Sequence, residues 1–138
     1  MTSYLVDTGP IVAFLNRRDR YHKWTVDQLA AVSPPLYTCE AVLSEAFFLL
    51  RRDRAGVEGL VKLLERQIVR ASFQLDEHLQ RVGKLLHRYS DVRISLADAC
   101  LVRMSELQTD SRLLTFDDDF NVYRRNGRQV IPTVSPNG

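Results

Sequence analysis

Three observations predict an α/β fold built on a mostly parallel sheet covered by helices on both faces. Short β-type runs alternate with helix-patterned segments along the whole sequence, and that alternation is the signature of parallel strands joined by crossover helices. No linker, low-complexity tract or domain-scale repeat interrupts the alternation. The length of 138 residues, with 45% hydrophobic and 26% charged residues, suits one domain spanning 1–138 around one well-buried core.

In order, SYLV (3–6) is an apolar β-type run that ends at Asp7. Thr8 and Pro10 supply N-cap and first-turn chemistry for a helix through IVAFLN. A second helix is expected from Tyr21 to Val32, before the SPP break at 33–35. Leu36 and Tyr37 form a brief strand, and Thr38 is placed to cap the long helix containing AVLSEAFFLL (41–50). Asp53 to Gly59 holds two glycines, which predicts an interruption before LVKLLERQ. VRASFQL (69–75) alternates like a strand, Asp76 opens an amphipathic helix to Tyr89, and Ser95 starts the helix LADACLVRMSEL. RLLTF (112–116) reads as a strand, and QVIPTV (129–134) as a last, edge-like one because of Pro132.

Composition narrows the function. No apolar stretch approaches the roughly 20 residues of a membrane span, and MTSYLVDTGP lacks a basic region followed by a long apolar one, so a cytoplasmic setting is expected. Cys39 and Cys100 are isolated and form no metal-binding pattern. Net charge is only +2, but just three of the 19 basic residues are lysine, and arginines cluster at NRRDR (16–20), LRRDR (50–54) and YRRNGR (123–128). Guanidinium forks match phosphate oxygens, although solvated helix ends would carry the same residues.

Open α/β sheets bind ligands beyond the carboxyl ends of their strands, where strand order reverses. Asp7 follows the first strand directly, and Asp117 follows RLLTF, with Asp118 and Asp119 next. Glu45 falls about two turns into its helix, in the stripe Val42, Glu45, Ala46 and Leu49, where an unpaired carboxylate would be costly. Either a cation meets it or it stands at the mouth of a cleft. Asp98 lies in the first turn of the helix before RLLTF. Four carboxylates from separate segments can converge there, and only a divalent cation makes such company favourable. Oxygen donors without His or Cys point to Mg²⁺ or Mn²⁺. Each acid also has a plainer reading. Asp7 could cap the first helix, Ser95-Leu-Ala-Asp98 fits a capping box, and the DDD run could be a turn.

Taken together, LVDTGP (5–10), VLSEAFFLL (42–50), SLADACLV (95–102) and LLTFDDDF (113–120) resemble the PIN-domain family, above all the compact VapC-type ribonucleases of toxin–antitoxin pairs. The resemblance covers nearly the whole chain. It implies a three-layer α/β/α sandwich and an acidic centre at Asp7, Glu45, Asp98 and Asp117 that binds Mg²⁺ or Mn²⁺ and hydrolyses phosphodiester bonds in single-stranded or looped RNA. By the same resemblance Thr115 supports the site, and Asp119 either assists the cation or begins a turn. His22 sits where relatives often carry a histidine, though a structural role suits it better. Arg17, Arg18, Arg20, Lys23, Arg51, Arg52 and Arg54 are candidates for tracking RNA phosphates, with Tyr21 and Trp24 as stacking platforms or simple packing residues. A cognate antitoxin and a homodimer are the implied partners. An RNA-processing nuclease without an antitoxin, and a non-catalytic RNA- or protein-binding module, are the alternatives. A haloacid-dehalogenase-type enzyme is disfavoured because Thr8 and Gly9, not a second acid, follow Asp7. A response-regulator receiver is disfavoured because no lysine follows the last strand.

Overall fold

The computed structural model describes residues 1–137. Its elements are β1 (Ser3–Val6), α1 (Thr8–Leu15), α2 (His22–Ala30), β2 (Leu36–Thr38), α3 (Glu40–Leu50), α4 (Arg54–Glu65), β3 (Val69–Ala71), α5 (Leu79–Arg88), α6 (Leu96–Leu107), β4 (Ser111–Leu114), β5 (Arg124–Arg125), β6 (Gln129–Val130) and β7 (Thr133–Val134). Five strands form one sheet in the order β3-β2-β1-β4-β7, every pairing parallel. Leu5 and Val6 point to opposite faces of β1, yet both are at most 1% exposed, and Leu113 and Leu114 behave alike in β4. Successive buried residues require cover on both faces, so the α/β/α expectation holds.

The topology fixes where a site can form. From β1 the chain moves outward through β2 to β3, then returns past its starting strand to lay down β4 and β7 on the other side. Strand order therefore reverses between β1 and β4, which are in register from Ser3↔Ser111 to Val6↔Leu114. The crevice at their carboxyl ends opens beside Asp7 and Thr115.

Several local expectations give way to tertiary packing. Asp7, not Thr8, is the N-cap of α1, accepting from the Thr8 N–H. Thr38 caps nothing; its hydroxyl donates to the Val6 carbonyl across the β1–β2 pair, and Cys39 takes the cap position of α3. The second helix is shorter than expected at both ends. No break separates Asp53 from Gly59: Asp53 caps α4, which runs straight through both glycines. Gly59 permits a close crossing, since a Cβ there would lie 2.8 Å from Leu15 Cδ2 on α1. The strand expected over 69–75 is only three residues long, and a 3-10 turn at Leu75–His78 precedes α5. QVIPTV divides at Pro132. Its first part pairs antiparallel with β5 in a separate hairpin, and its last part forms the sheet edge.

A buried carboxylate ties that hairpin to the helical layer. The Glu106 side chain on α6 is 1% exposed, accepts both arms of the Arg81 guanidinium at 2.9 and 2.6 Å, and accepts from Arg103 and the Asn126 N–H. Burial pushes its carboxyl up, but these donors outweigh burial and hold it below the usual range.

Candidate metal centre

Asp7 is the hub. It is 7% exposed, pinned at the end of β1 by its own N–H donating to the Leu114 carbonyl. Oδ1 accepts from the Thr8 N–H at 2.8 Å, and Oδ2 accepts from the Thr115 hydroxyl at 2.7 Å. Capping and site formation are thus the work of two different oxygens. The Thr115 hydroxyl in turn accepts from the Asp117 N–H at 3.0 Å, so one side chain joins both acidic strand ends. On the other flank the Thr8 hydroxyl donates to Glu45 Oε2 at 3.0 Å, linking α1 to α3.

Glu45 does not lie in the buried stripe. The residues of α3 that face the core are Val42, Leu43, Ala46 and Leu50, whereas Glu45 is exposed beside Phe48 and Leu49, which are 60% and 58% exposed. The helix is rotated so that the carboxylate reaches the rim of the crevice. Its place in an oily run reflects a cleft mouth, not a buried charge.

Asp98 enters from α6. Ser95 accepts from the Asp98 N–H at 3.0 Å, so the cap is real, but the Asp98 carboxylate does not close a capping box. Its Oδ2 accepts instead from the hydroxyl of Tyr123, a fully buried residue. Burial above all, then the negative charges of Asp7 and Asp117, push Asp98 up to about 7, against the opposing bonds from Tyr123 and Ser95. Asp7 is likewise raised, first by burial and further by Asp117 and Glu45, while Thr115 and Thr8 pull it down. Each of the four acids therefore lies within electrostatic reach of at least one other. Asp117 and Asp119 are exposed, and the Asp119 N–H donates to Asp117 Oδ1 as a turn begins.

Among the described residues no three His, Cys, Asp or Glu side chains are drawn close enough to hold an ion as they stand. Mutually repelling carboxylates favour such a spread. The donor set nonetheless fits a hard divalent cation. All four groups are carboxylates, and Glu45 Oε1 accepts no hydrogen bond among the described residues.

The other candidates separate. His22 Nδ1 bonds the Ala13 carbonyl at 2.7 Å, which ties α2 to α1 and makes it structural. Tyr21 and Trp24 pack on Phe116. Arg17, Arg18, Arg20, Lys23, Arg52 and Arg54 are exposed, and Arg51 folds over the Phe48 ring. Sequence reasoning missed Thr8 and Tyr123. Thr8 stood beside a chosen acid and was readable only as a cap, and nothing in YRRNGR marks Tyr123 as a partner of Asp98.

The sequence profile of the PIN domain matches residues 4–126. Comparison with curated proteins gives no match. Among solved structures, Mycobacterium tuberculosis VapC20, described as a sarcin-ricin loop cleaving toxin, superposes with a TM-score of 0.72 at 26% identity, covering 87% of this chain and 94% of its own. The profile match takes in β1, β4 and every acid of the crevice between them: this chain belongs to the PIN-domain family.

Proposed function

We propose that this chain is a metal-dependent endoribonuclease of the VapC kind, with residues 1–138 acting as one nuclease domain and serving as the toxin of a toxin–antitoxin pair. The observation that carries the reading is the junction of Asp7, Thr115 and Asp117 at the strand-order reversal, with Asp98 and Glu45 brought from two helices within electrostatic reach of it. Membership of the PIN-domain family and likeness to VapC20 support it.

Asp7 and Asp98 would hold Mg²⁺ or Mn²⁺, with Asp117 and Glu45 as further ligands and Asp119 at the margin. When bound, the cation offsets charge developing on the phosphoryl oxygens and makes an adjacent water easier to deprotonate. Thr115 and Tyr123 orient the carboxylates, and Thr8 holds Glu45 at the rim. Arg17, Arg18, Arg20, Lys23, Arg51 and Arg52 draw the RNA backbone towards the crevice. An antitoxin would find an apolar groove of about 330 Å³ between α1, α2 and the sheet, lined by residues including Ile11, Phe14, Val26, Leu29 and Leu36. A homodimer and a cytoplasmic location belong to the same proposal; among the described residues no helix is long and apolar enough to cross a membrane.

The test is cleavage of single-stranded RNA in Mg²⁺ or Mn²⁺, with and without EDTA, by the parent, Asp7→Asn and Asp98→Asn. Activity is expected from the parent alone, and both variants should remain folded by circular dichroism. Undiminished cleavage by either variant would remove the assignment. The alternative reading is a non-catalytic RNA- or protein-binding module. RNA binding with no metal-dependent cleavage would select it.

A further inference from the structure

Next to the acids lies a pocket of about 460 Å³ that phosphodiester cleavage itself does not need. Gly9, Val12, Leu49 and Phe116 line one part of it and Asp19, Arg20 and Tyr21 the other. Its lining residues are chain neighbours of the candidate metal centre. Gly9 follows Thr8, Phe116 joins Thr115 to Asp117, and Leu49 sits one helical turn beyond Glu45.

One wall is built of flat π systems, Phe116, Tyr21 and the Arg20 guanidinium. The Phe116 and Tyr21 rings lie 4.7 Å apart, and Trp24 meets Phe116 edge-on at 5.8 Å. The Arg20 guanidinium lies over the Tyr21 ring, 4.5 Å from its centroid, and bonds its hydroxyl. A Cβ on Gly9 would stand 2.8 Å from Phe116 Cδ2, so glycine lets the ring come this close to the first turn of α1. The charge in the walls is balanced. Arg20 disfavours a cationic side chain, and Asp19, whose Oδ1 accepts from the Tyr21 N–H, disfavours a phosphate or an acidic peptide. A neutral planar group with its own donors and acceptors suits both.

We propose that this pocket receives an unpaired nucleobase adjoining the phosphate at the acid cluster, stacked on the wall formed by Phe116, Tyr21 and Arg20. The proposal takes its substrate class from the ribonuclease reading. Stacking on aromatic rings and guanidinium planes is how proteins grip unpaired bases. Phe116, held between Thr115 and Asp117, sets such a base beside the acids rather than on a remote face. The pocket is then a specificity element: paired RNA, whose bases are stacked within a helix, cannot fill it.

Trp24 is the chain's only tryptophan, and its contact with Phe116 makes it a built-in reporter. Single-stranded RNA hexamers of A, C, G and U, and an abasic ribose-phosphate hexamer, are titrated separately in EDTA while Trp24 emission is followed. At least one base-bearing hexamer should change the emission and bind better than the abasic one. Tyr21→Ala should weaken that hexamer roughly tenfold or more and leave the abasic one unaffected, and Tyr21→Phe should restore it. Leu49→Glu, at an exposed position, should weaken it too and keeps the question open to measurement if Tyr21→Ala does not fold.

The proposal is overturned if none of the four base-bearing hexamers outbinds the abasic one, or if binding leaves Trp24 emission and the Tyr21→Ala affinity unchanged. It is overturned also if the emission of the protein alone shifts on dilution, because a second copy then covers the pocket. Cleavage is measured separately. Base-dependent binding without cleavage keeps the pocket and removes the nuclease, and cleavage without base-dependent binding does the reverse.

Discussion

Thr115→Val removes one oxygen atom and nearly no volume, at a position 1% exposed. The hydroxyl lost gives a 2.7 Å bond to Asp7 Oδ2 and takes a 3.0 Å bond from the Asp117 N–H. A hydrogen bond to a charged group contributes about 1.5–3 kcal/mol. At 1.36 kcal/mol per tenfold, that corresponds to about a ten- to hundredfold loss in whatever depends on a correctly held, ionised Asp7. Losses of about 10- to 100-fold are also what removal of a group orienting a metal ligand produces. The sign with pH follows from the same contact. Thr115 is the strongest influence pulling the raised Asp7 carboxyl down, so without it Asp7 ionises at a still higher pH. Mn²⁺ affinity by calorimetry should fall within that range at neutral pH, and the rising limb of the cleavage pH profile should move to higher pH. If Thr115→Val binds Mn²⁺ as tightly as the parent with an unmoved pH profile, the bridge between the strand ends has no part in the site.

Asp98 is raised from an ordinary 3.8 to about 7 in the folded chain, so the native state binds more protons than the unfolded one between those values. Stability in EDTA should therefore decline as pH rises from about 4 to about 7, and Asp98→Asn should flatten that decline in thermal melts. Glu106→Gln breaks a buried ion pair whose arginines are 29% and 26% exposed and can partly rehydrate. Urea unfolding should show a loss of about 2–3 kcal/mol, below the 3–5 kcal/mol of a fully enclosed pair. Replacing Arg17 with Arg18, or Arg51 with Arg52, by glutamine should weaken RNA binding and reduce its salt dependence. An unchanged salt slope in binding titrations would clear those residues of phosphate contact.

The strands that carry the acids were legible because their signals are local: SYLV and RLLTF are dense apolar runs, each closed by an aspartate at or just past its end. Asp7 looked like a choice between cap and ligand, and the structure shows a carboxylate with two oxygens free to do separate things. Glu45 was found for a reason only half right. A helix with two adjoining apolar faces does not reveal which one turns inward, and here Phe48 and Leu49 turn out. The helix through Gly56 and Gly59 was missed because low intrinsic propensity is offset by a crossing against Leu15, forty-four positions earlier in sequence. Tyr123 reaches Asp98 across 25 residues of chain, a distance no spacing rule spans.

The bond between Thr115 and Asp7 joins residues 108 apart, and β1 gains its β4 neighbour only when Ser111–Leu114 is in place. A growing chain that stops short of Ser111 already contains Asp7, Glu45 and Asp98, but it lacks the strand that brackets them. Closing so long a loop comes late and cooperatively. On the ribonuclease reading, translation itself acts as the safety catch: the crevice of a nascent polypeptide stays unfinished until Ser111–Leu114 has been synthesised and paired with β1.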